Sequence, residues 1–221
     1  MVDFSVIRSL IHLDRNEGFD LAEIQNAAER AGPIPGLLAE YYMQLGNIRE
    51  INQNGKLLLL SPDKLRFEDS HLVFYLDSRI LTCRWGISEP DALQADPPVY
   101  VSIGGGSWRK ETSTLYEFLC AMAHLQAASG LEYSSGLKML SHGEANTVRR
   151  AYMKKNFLLY CRMEAEFYGN SNSVIALIKN RNLYDMIYAS FSSGQYDILD
   201  ISLSPIGKAY QREPWLPKIM F

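Results

Sequence analysis

The sequence predicts an α+β fold: a mostly antiparallel sheet packed against helices, with an α+β C-terminal extension. Three observations predict it. Apolar runs with strand spacing recur at 72–76, 81–87 and 99–103. Helical patterns with their own capping residues flank those runs. Four further strand-like runs between 157 and 203 are joined by short connections bearing glycine and asparagine.

Taken in order, Phe4, Ile7, Leu10 and Ile11 give a first helix. Asp20 and Glu23 form a capping box for a second, carrying Leu21, Ile24, Ala27 and Ala28, which Gly32-Pro33 stops. Ile34-Pro35 opens a third with Leu37, Leu38, Tyr41, Tyr42 and Leu45, closing on Gly46-Asn47. Asn54-Gly55, between Ile48 to Ile51 and Leu57 to Leu60, predicts a type I′ hairpin. The run Leu57 to Leu60 also reads as a central strand, ended by Ser61-Pro62. Leu72 to Leu76 is continuously apolar, as in a strand covered on both faces, and Asp77, Ser78 and Arg79 supply turn chemistry. From Leu81 to Ile87 the positions alternate, with Leu81, Cys83, Trp85 and Ile87 on one face and Thr82, Arg84 and Gly86 on the other. An antiparallel hairpin is expected from these two runs. Pro90, Pro97 and Pro98 keep the next segment irregular, because proline has a fixed φ and no N–H to donate. Val99, Val101 and Ile103 resume the alternation until Gly104, Gly105 and Gly106 break it.

Thr114 with Glu117 caps a helix whose apolar face is Leu115, Phe118, Leu119 and Met122, ending near Gly130. Ser141 and Glu144 cap another through Ala145, Val148 and Tyr152. Beyond it Phe157 to Met163, Val174 to Ile178, Tyr184 to Phe191 and Tyr196 to Leu203 read as strands. Gly169, Asn170, Asn180, Asn182 and Gly194 in the connections suggest an antiparallel meander. Residues 1–130 are thus an α+β module with N-terminal helices, and 131–221 a helix plus meander, either extending the same domain or forming a small second subdomain.

Composition excludes several classes. With 47% apolar and 21% charged residues the chain of 221 is ordinary globular material, not disordered. No apolar run approaches the roughly 18 residues of a spanning helix, so no membrane partner is expected. Met1-Val2-Asp3-Phe4 has no basic region ahead of an apolar stretch, so no secretory signal is read and a cytoplasmic address is expected. Cys83, Cys120 and Cys161 are an odd number, far apart in apolar patterns, and are expected as buried reduced thiols rather than a disulfide or metal framework.

A resemblance emerges from the order of these elements. Leu72 to Leu76, Trp85-Gly86-Ile87, Asp96-Pro97-Pro98-Val99-Tyr100, Trp108 and then Leu115 to Met122 resemble the SUKH superfamily, which includes bacterial toxin-immunity proteins and a fungal cell-wall-synthesis regulator. The helix after Ile34-Pro35 is similar to the Leu-Pro helix that precedes the first strand of that family. The likeness covers residues 20 to 130; residues 131–221 have no counterpart in it. It implies a SUKH-like module and a protein that binds another protein, as immunity proteins do when they occlude a toxin.

Charge supplies a candidate surface. Through residue 130 there are 17 acidic and 11 basic residues, and beyond it 8 and 11. Glu68, Asp69, Asp77, Glu89, Asp91 and Asp96 fall in predicted loops between strands and are candidate partner-binding residues for a basic partner; a solvated rim is the plain alternative. Arg149, Arg150, Lys154 and Lys155 fall on or near one helix, but no nucleic-acid motif accompanies them and direct nucleic-acid binding is not expected.

Catalytic patterns are mostly excluded. Gly104-Gly105-Gly106-Ser107 lacks the Gly-Lys-Ser or Gly-Lys-Thr of a phosphate cradle and reads as a turn. His142-Gly143-Glu144 has the zinc-deaminase spacing without Pro-Cys-x-x-Cys, so Glu144 is better read as a cap. His12 and His124 sit in helical patterns, and His71 flanks a strand without an evident partner. Trp85 and Trp108 could line a ligand site but are better read as packing anchors, and Trp215 is the better exposed candidate unless it tacks down the C-terminus. The expected function is a non-enzymatic immunity protein neutralising a cognate toxin of nuclease or deaminase type, with no cofactor, metal or catalytic residue. A regulatory scaffold for an endogenous partner is the alternative, and an enzyme with a pocket between the two halves is a third reading.

Overall fold

Two antiparallel sheets share one buried helix. The computed structural model describes residues 2–53, 56–78, 83–160 and 163–209. The N-terminal part is helical: α1 (Ser5–Arg8) runs into a 3₁₀ turn (Ser9–Ile11), followed by α2 (Leu21–Ala31), α3 (Gly36–Leu45) and α4 (Arg49–Asn52). The Asp20–Glu23 capping box starts α2 and Gly32, at φ 80°, stops it. Helix α3 begins directly after Pro35.

The first sheet is built from β1 (Leu57–Leu59), β2 (Arg66–Glu68), β3 (His71–Asp77), β4 (Arg84–Ser88), β5 (Val99–Ser102) and β6 (Arg109–Thr112). Its order is β1-β3-β4-β5-β6, with β2 pairing the N-terminal end of β3. The β3–β4 hairpin follows the expected alternation, with a bulge between Val73 and Tyr75 that turns both Phe74 and Tyr75 onto the same helical phenylalanine, Phe118.

That phenylalanine belongs to α5 (Leu115–Gly130), where the Thr114 hydroxyl accepts the Glu117 N–H at 3.1 Å. Twelve of the 16 residues of α5 are buried, far more than one apolar face, because both sheets lie against it. After α5 come β7 (Tyr133–Ser134), β8 (Lys138–Leu140), α6 (His142–Ala151), β9 (Lys154–Leu159), β10 (Ala165–Tyr168), β11 (Ser173–Asn180), β12 (Leu183–Ser190), α7 (Ser193–Leu203) and β13 (Lys208–Ala209). The second sheet has the order β13-β8-β12-β11-β10-β9, with β7 also on β12. One apolar cluster runs from Phe4 through both sheets to Ala189. A second, including Leu140, Val148, Met186 and Leu203, fills the far face of the second sheet beneath α6 and α7. No helix among the described residues is long and apolar enough to cross a membrane.

Several expectations are corrected. Ile48 to Ile51 is not a strand: α4 occupies it, because Ile48 and Ile51 bury on one helical face and Asn52 is needed inside. There the Asn52 amide donates to the Leu45 carbonyl at 2.6 Å and its oxygen accepts from Tyr41 at 2.8 Å, closing the end of α3. The proposed hairpin therefore loses one arm, and Asn54-Gly55 itself lies outside the described residues. Strand β1 is an edge strand, not a central one. Tyr196 to Leu203 is helical: Ser192 caps α7, and Leu199 and Leu203, four apart, bury on the sheet. Strand β9 starts three residues before the predicted Phe157 and ends at Leu159, and β2, β6, β7, β8, β10 and β13 are additional.

Candidate functional site

The two faces of the first sheet differ. Trp85, Ile87, Val99 and Val101 are fully buried on the helical side. The register places Arg66, Glu68, His71, Arg84, Ser88 and Tyr100 on the other, where they are half-buried or exposed. Gly86 lies among them, cross-strand from Tyr100. The turn at Gly104 and Gly105, with φ 66° and 71°, is closed by the Ser102 hydroxyl on the Gly106 carbonyl at 2.8 Å. It returns the chain so that Trp108 lies over Gly86. A Cβ at position 86 would sit 3.1 Å from the indole and 3.0 Å from the Leu72 carbonyl oxygen. The Trp85-Gly86 pair thus has a physical reason, one residue filling the core and the next leaving a seat for a second indole. Gly86→Val is expected to cost about 1–3 kcal/mol by overpacking, measured by urea denaturation; an unchanged midpoint would show that the indole is free to move aside.

Around Trp108 the side chains form a connected cluster. His71 stacks on its indole at 4.1 Å and 11°, and the edge of Tyr100 meets His71 at 5.5 Å. The Arg84 guanidinium lies 5.5 Å from the Trp108 ring and pairs with both Glu68 and Asp69, while Arg66 also pairs with Glu68. The Tyr100 hydroxyl donates to Asp91 at 3.1 Å, and Asp91 also accepts from Ser88 and, at 2.7 Å, from Gln94. Burial and then the Asp91 carboxylate raise the Tyr100 phenol above its ordinary value, so it remains a donor. Asp69 and Ser70, at φ 49° and 58°, form the two-residue turn between β2 and β3 in the left-handed region that asparagine and glycine favour. The Ser70 carbonyl accepts the Glu89 N–H at 2.9 Å. Two buried donors of the cluster, Trp108 Nε1 and Arg84 Nε, have no partner among the described residues.

Comparison of the chain with protein-family models, with curated proteins and with solved structures finds no match. Function has to be read from these side chains themselves.

Four of the six acidic candidates, Glu68, Asp69, Glu89 and Asp91, come together at this end of the sheet. Asp77 and Asp96 do not. Asp77 is no loop residue: it ends β3 and is fully buried. Asp96 accepts the Tyr116 N–H at 2.9 Å and ties its loop to the first turn of α5. Glu68 and Asp69 are offset by Arg84 and Arg66, which leaves Glu89 and Asp91 as the acidic part of the surface. The sequence reading missed Arg84, His71 and Tyr100 as site residues, and His71 does have a partner in Trp108. The signal for them was the glycine inside a strand, which marks a close approach by another group.

Other candidates are structural. Glu144 completes the Ser141 capping box, and Cys83 and Cys120 are buried; Cys161 and Trp215 lie outside the described residues. His12 stacks on Phe191 at 4.9 Å. Arg149 is engaged with Glu166 at 2.9 and 3.2 Å and lies over the Tyr184 ring at 4.6 Å, a packed ion pair rather than an open cation. No group of three His, Cys, Asp or Glu side chains among the described residues has the arrangement of a metal site.

Proposed function

We propose that this is a non-enzymatic protein-binding module, an immunity protein that neutralises a cognate bacterial toxin of nuclease or deaminase type by occluding it. The observation that carries the reading is the cluster of Trp108, His71, Tyr100 and Arg84 on the face of the first sheet away from the helices. Tryptophan, tyrosine and arginine are the residue types that dominate the centres of protein interfaces, because they bury large areas at low entropic cost and keep a polar handle. Here they are held in place by stacking and ion pairs before any partner arrives, which lowers the ordering cost of binding. The likeness to the SUKH superfamily supports the same reading. Glu89 and Asp91 add a negative rim that suits a basic toxin.

The test is a survival assay in bacteria co-expressing this chain with the C-terminal domain of the protein encoded beside it. Rescue is expected, with a complex on a sizing column. Trp108→Ala and Tyr100→Ala should each weaken that complex by about 2 kcal/mol, roughly thirtyfold. Glu89→Lys with Asp91→Lys should slow association and flatten its salt dependence. Toxicity without rescue would overturn the toxin reading and leave an endogenous partner for the same surface.

A further inference from the structure

On the opposite half of the molecule, a groove of about 600 Å³ opens between the N-terminal helical segment and α7. Val6, Met153, Ile198 and Leu199 give it apolar walls. Met153 and Ile198 are 79% and 64% exposed, and Ile201, one turn further along α7, is 77% exposed. Met153 and Ile198 line the concavity and Ile201 lies beside it on α7; large apolar side chains this open at one concavity are unusual on a protein surface and mark a place where something apolar docks.

Among the described residues one cation lines this groove. Lys155, half-buried on β9, donates from Nζ to the Asn170 carbonyl at 2.7 Å, and no carboxylate among the described residues pairs with it. An ammonium carries three N–H donors, so two are left for a ligand. Burial alone lowers its pKa below the ordinary amine value, the mark of a cation removed from water without a compensating charge. Lys154 and Arg150 are exposed close by in sequence and add positive charge without entering the groove. A nucleic acid would ask for a row of cations, and among the described residues a single cation lines this groove, between aliphatic side chains and uncharged polar ones such as Ser5, Ser173 and Gln195.

We propose that this groove binds an amphipathic carboxylic acid, with the carboxylate on Lys155 Nζ and an aliphatic chain of medium length along Val6, Met153 and Ile198. The volume falls in the range of small-molecule sites. The pairing is charge-assisted and partly shielded from water, and the chain covers side chains that are otherwise wet. The inference is independent of the partner-binding face, which lies on the other sheet.

Decanoate is the probe, titrated calorimetrically into the full chain at neutral pH below its micelle concentration, with decyltrimethylammonium as the charge-reversed control. Saturable one-to-one binding of decanoate is expected, with the Met153 methyl resonance shifting in step and no binding of the ammonium compound. Lys155→Met should weaken decanoate binding about tenfold or more. Ile198→Asp, on an exposed position that leaves folding intact, should abolish it. Absence of saturation, equal binding of the two probes, or an undiminished affinity in Lys155→Met would each overturn the assignment.

Discussion

Replacing Glu111 with alanine is expected to destabilise the protein by about 3 kcal/mol in urea denaturation, more than any surface substitution on the first sheet. Glu111 lies on β6 and is only 2% exposed. One carboxylate oxygen accepts the Trp85 indole N–H at 3.0 Å; the other accepts the Tyr160 backbone N–H at 2.7 Å, just beyond the end of β9. A single side chain therefore fastens the edge of the first sheet to the edge of the second while satisfying the indole at the centre of the core. Alanine strands the Trp85 donor in an apolar site, and a buried polar group without its partner costs about 1–3 kcal/mol; the Tyr160 contact is lost as well. Glu111→Gln keeps one acceptor oxygen and should lose about half as much. A loss under about 1 kcal/mol for alanine would mean that the carboxylate is not what joins the sheets.

That residue also shows where sequence reading stops. Arg109 to Thr112 is a charged, polar run, and only the neighbouring strand β9 turns Glu111 inward. Capping signals were legible because they are local: Asp20 with Glu23 and Ser141 with Glu144 make the predicted boxes. The strands at 72–76, 84–87 and 99–102 were legible because their apolar residues are buried, in the first as a continuous run and in the other two at alternate positions such as Trp85, Ile87, Val99 and Val101. The strongest turn signal, Asn54-Gly55, failed as a hairpin because Tyr41 and Leu45, in another helix, claim Asn52 for a helical turn. The two-residue turns that do form, Asp69-Ser70 and Arg181-Asn182, contain no glycine and are imposed by the pairing on either side.

The candidate site was legible by half for a related reason. Acidic loops can be counted in a sequence, and four of the six residues do converge. Their neutralisation by Arg84 and the seat of Trp108 on Gly86 depend on pairing across strands that no local pattern encodes. Asp77 continues a strand that the sequence ends one residue too soon, and burial follows from that one step. The run 196–203 reads as a strand because Tyr196, Ile198, Leu199, Ile201 and Leu203 make it short and apolar, while the four-residue spacing of Leu199 and Leu203 decides the packing.

Stability should fall by about 2 kcal/mol between pH 6.5 and pH 5, and His124 is the reason. Its imidazole is fully buried in α5, against Phe157 at 4.6 Å and Phe167 at 6.2 Å. Nδ1–H donates to the Cys120 carbonyl at 2.8 Å, and Nε2 has no partner among the described residues. Burial lowers the pKa from 6.5 to about 3; the Cys120 hydrogen bond opposes this and the nearby Lys155 charge adds to it. The folded state therefore holds the ring neutral where the unfolded chain already binds a proton. Its contribution is complete above pH 6.5 and is lost at about 1.4 kcal/mol per unit as pH falls from there toward 3. Two carboxylates act later. The Ser141 hydroxyl and N–H hold Glu144 below its ordinary range, and Arg149 does the same for Glu166 against the opposing effect of burial. Those two contributions are lost mainly below about pH 4.3. Burial, by contrast, raises Asp185 above its ordinary range against the Asn180 hydrogen bond, so its protonation favours the folded state as pH falls, and a variant without the imidazole is needed to separate His124. Urea denaturation of the wild type and of His124→Leu at pH 7.5, 6 and 5 separates the cases. The wild type should weaken relative to the variant across the series; a difference between the two that does not change with pH would mean that the ring is reached by water and protonates in place.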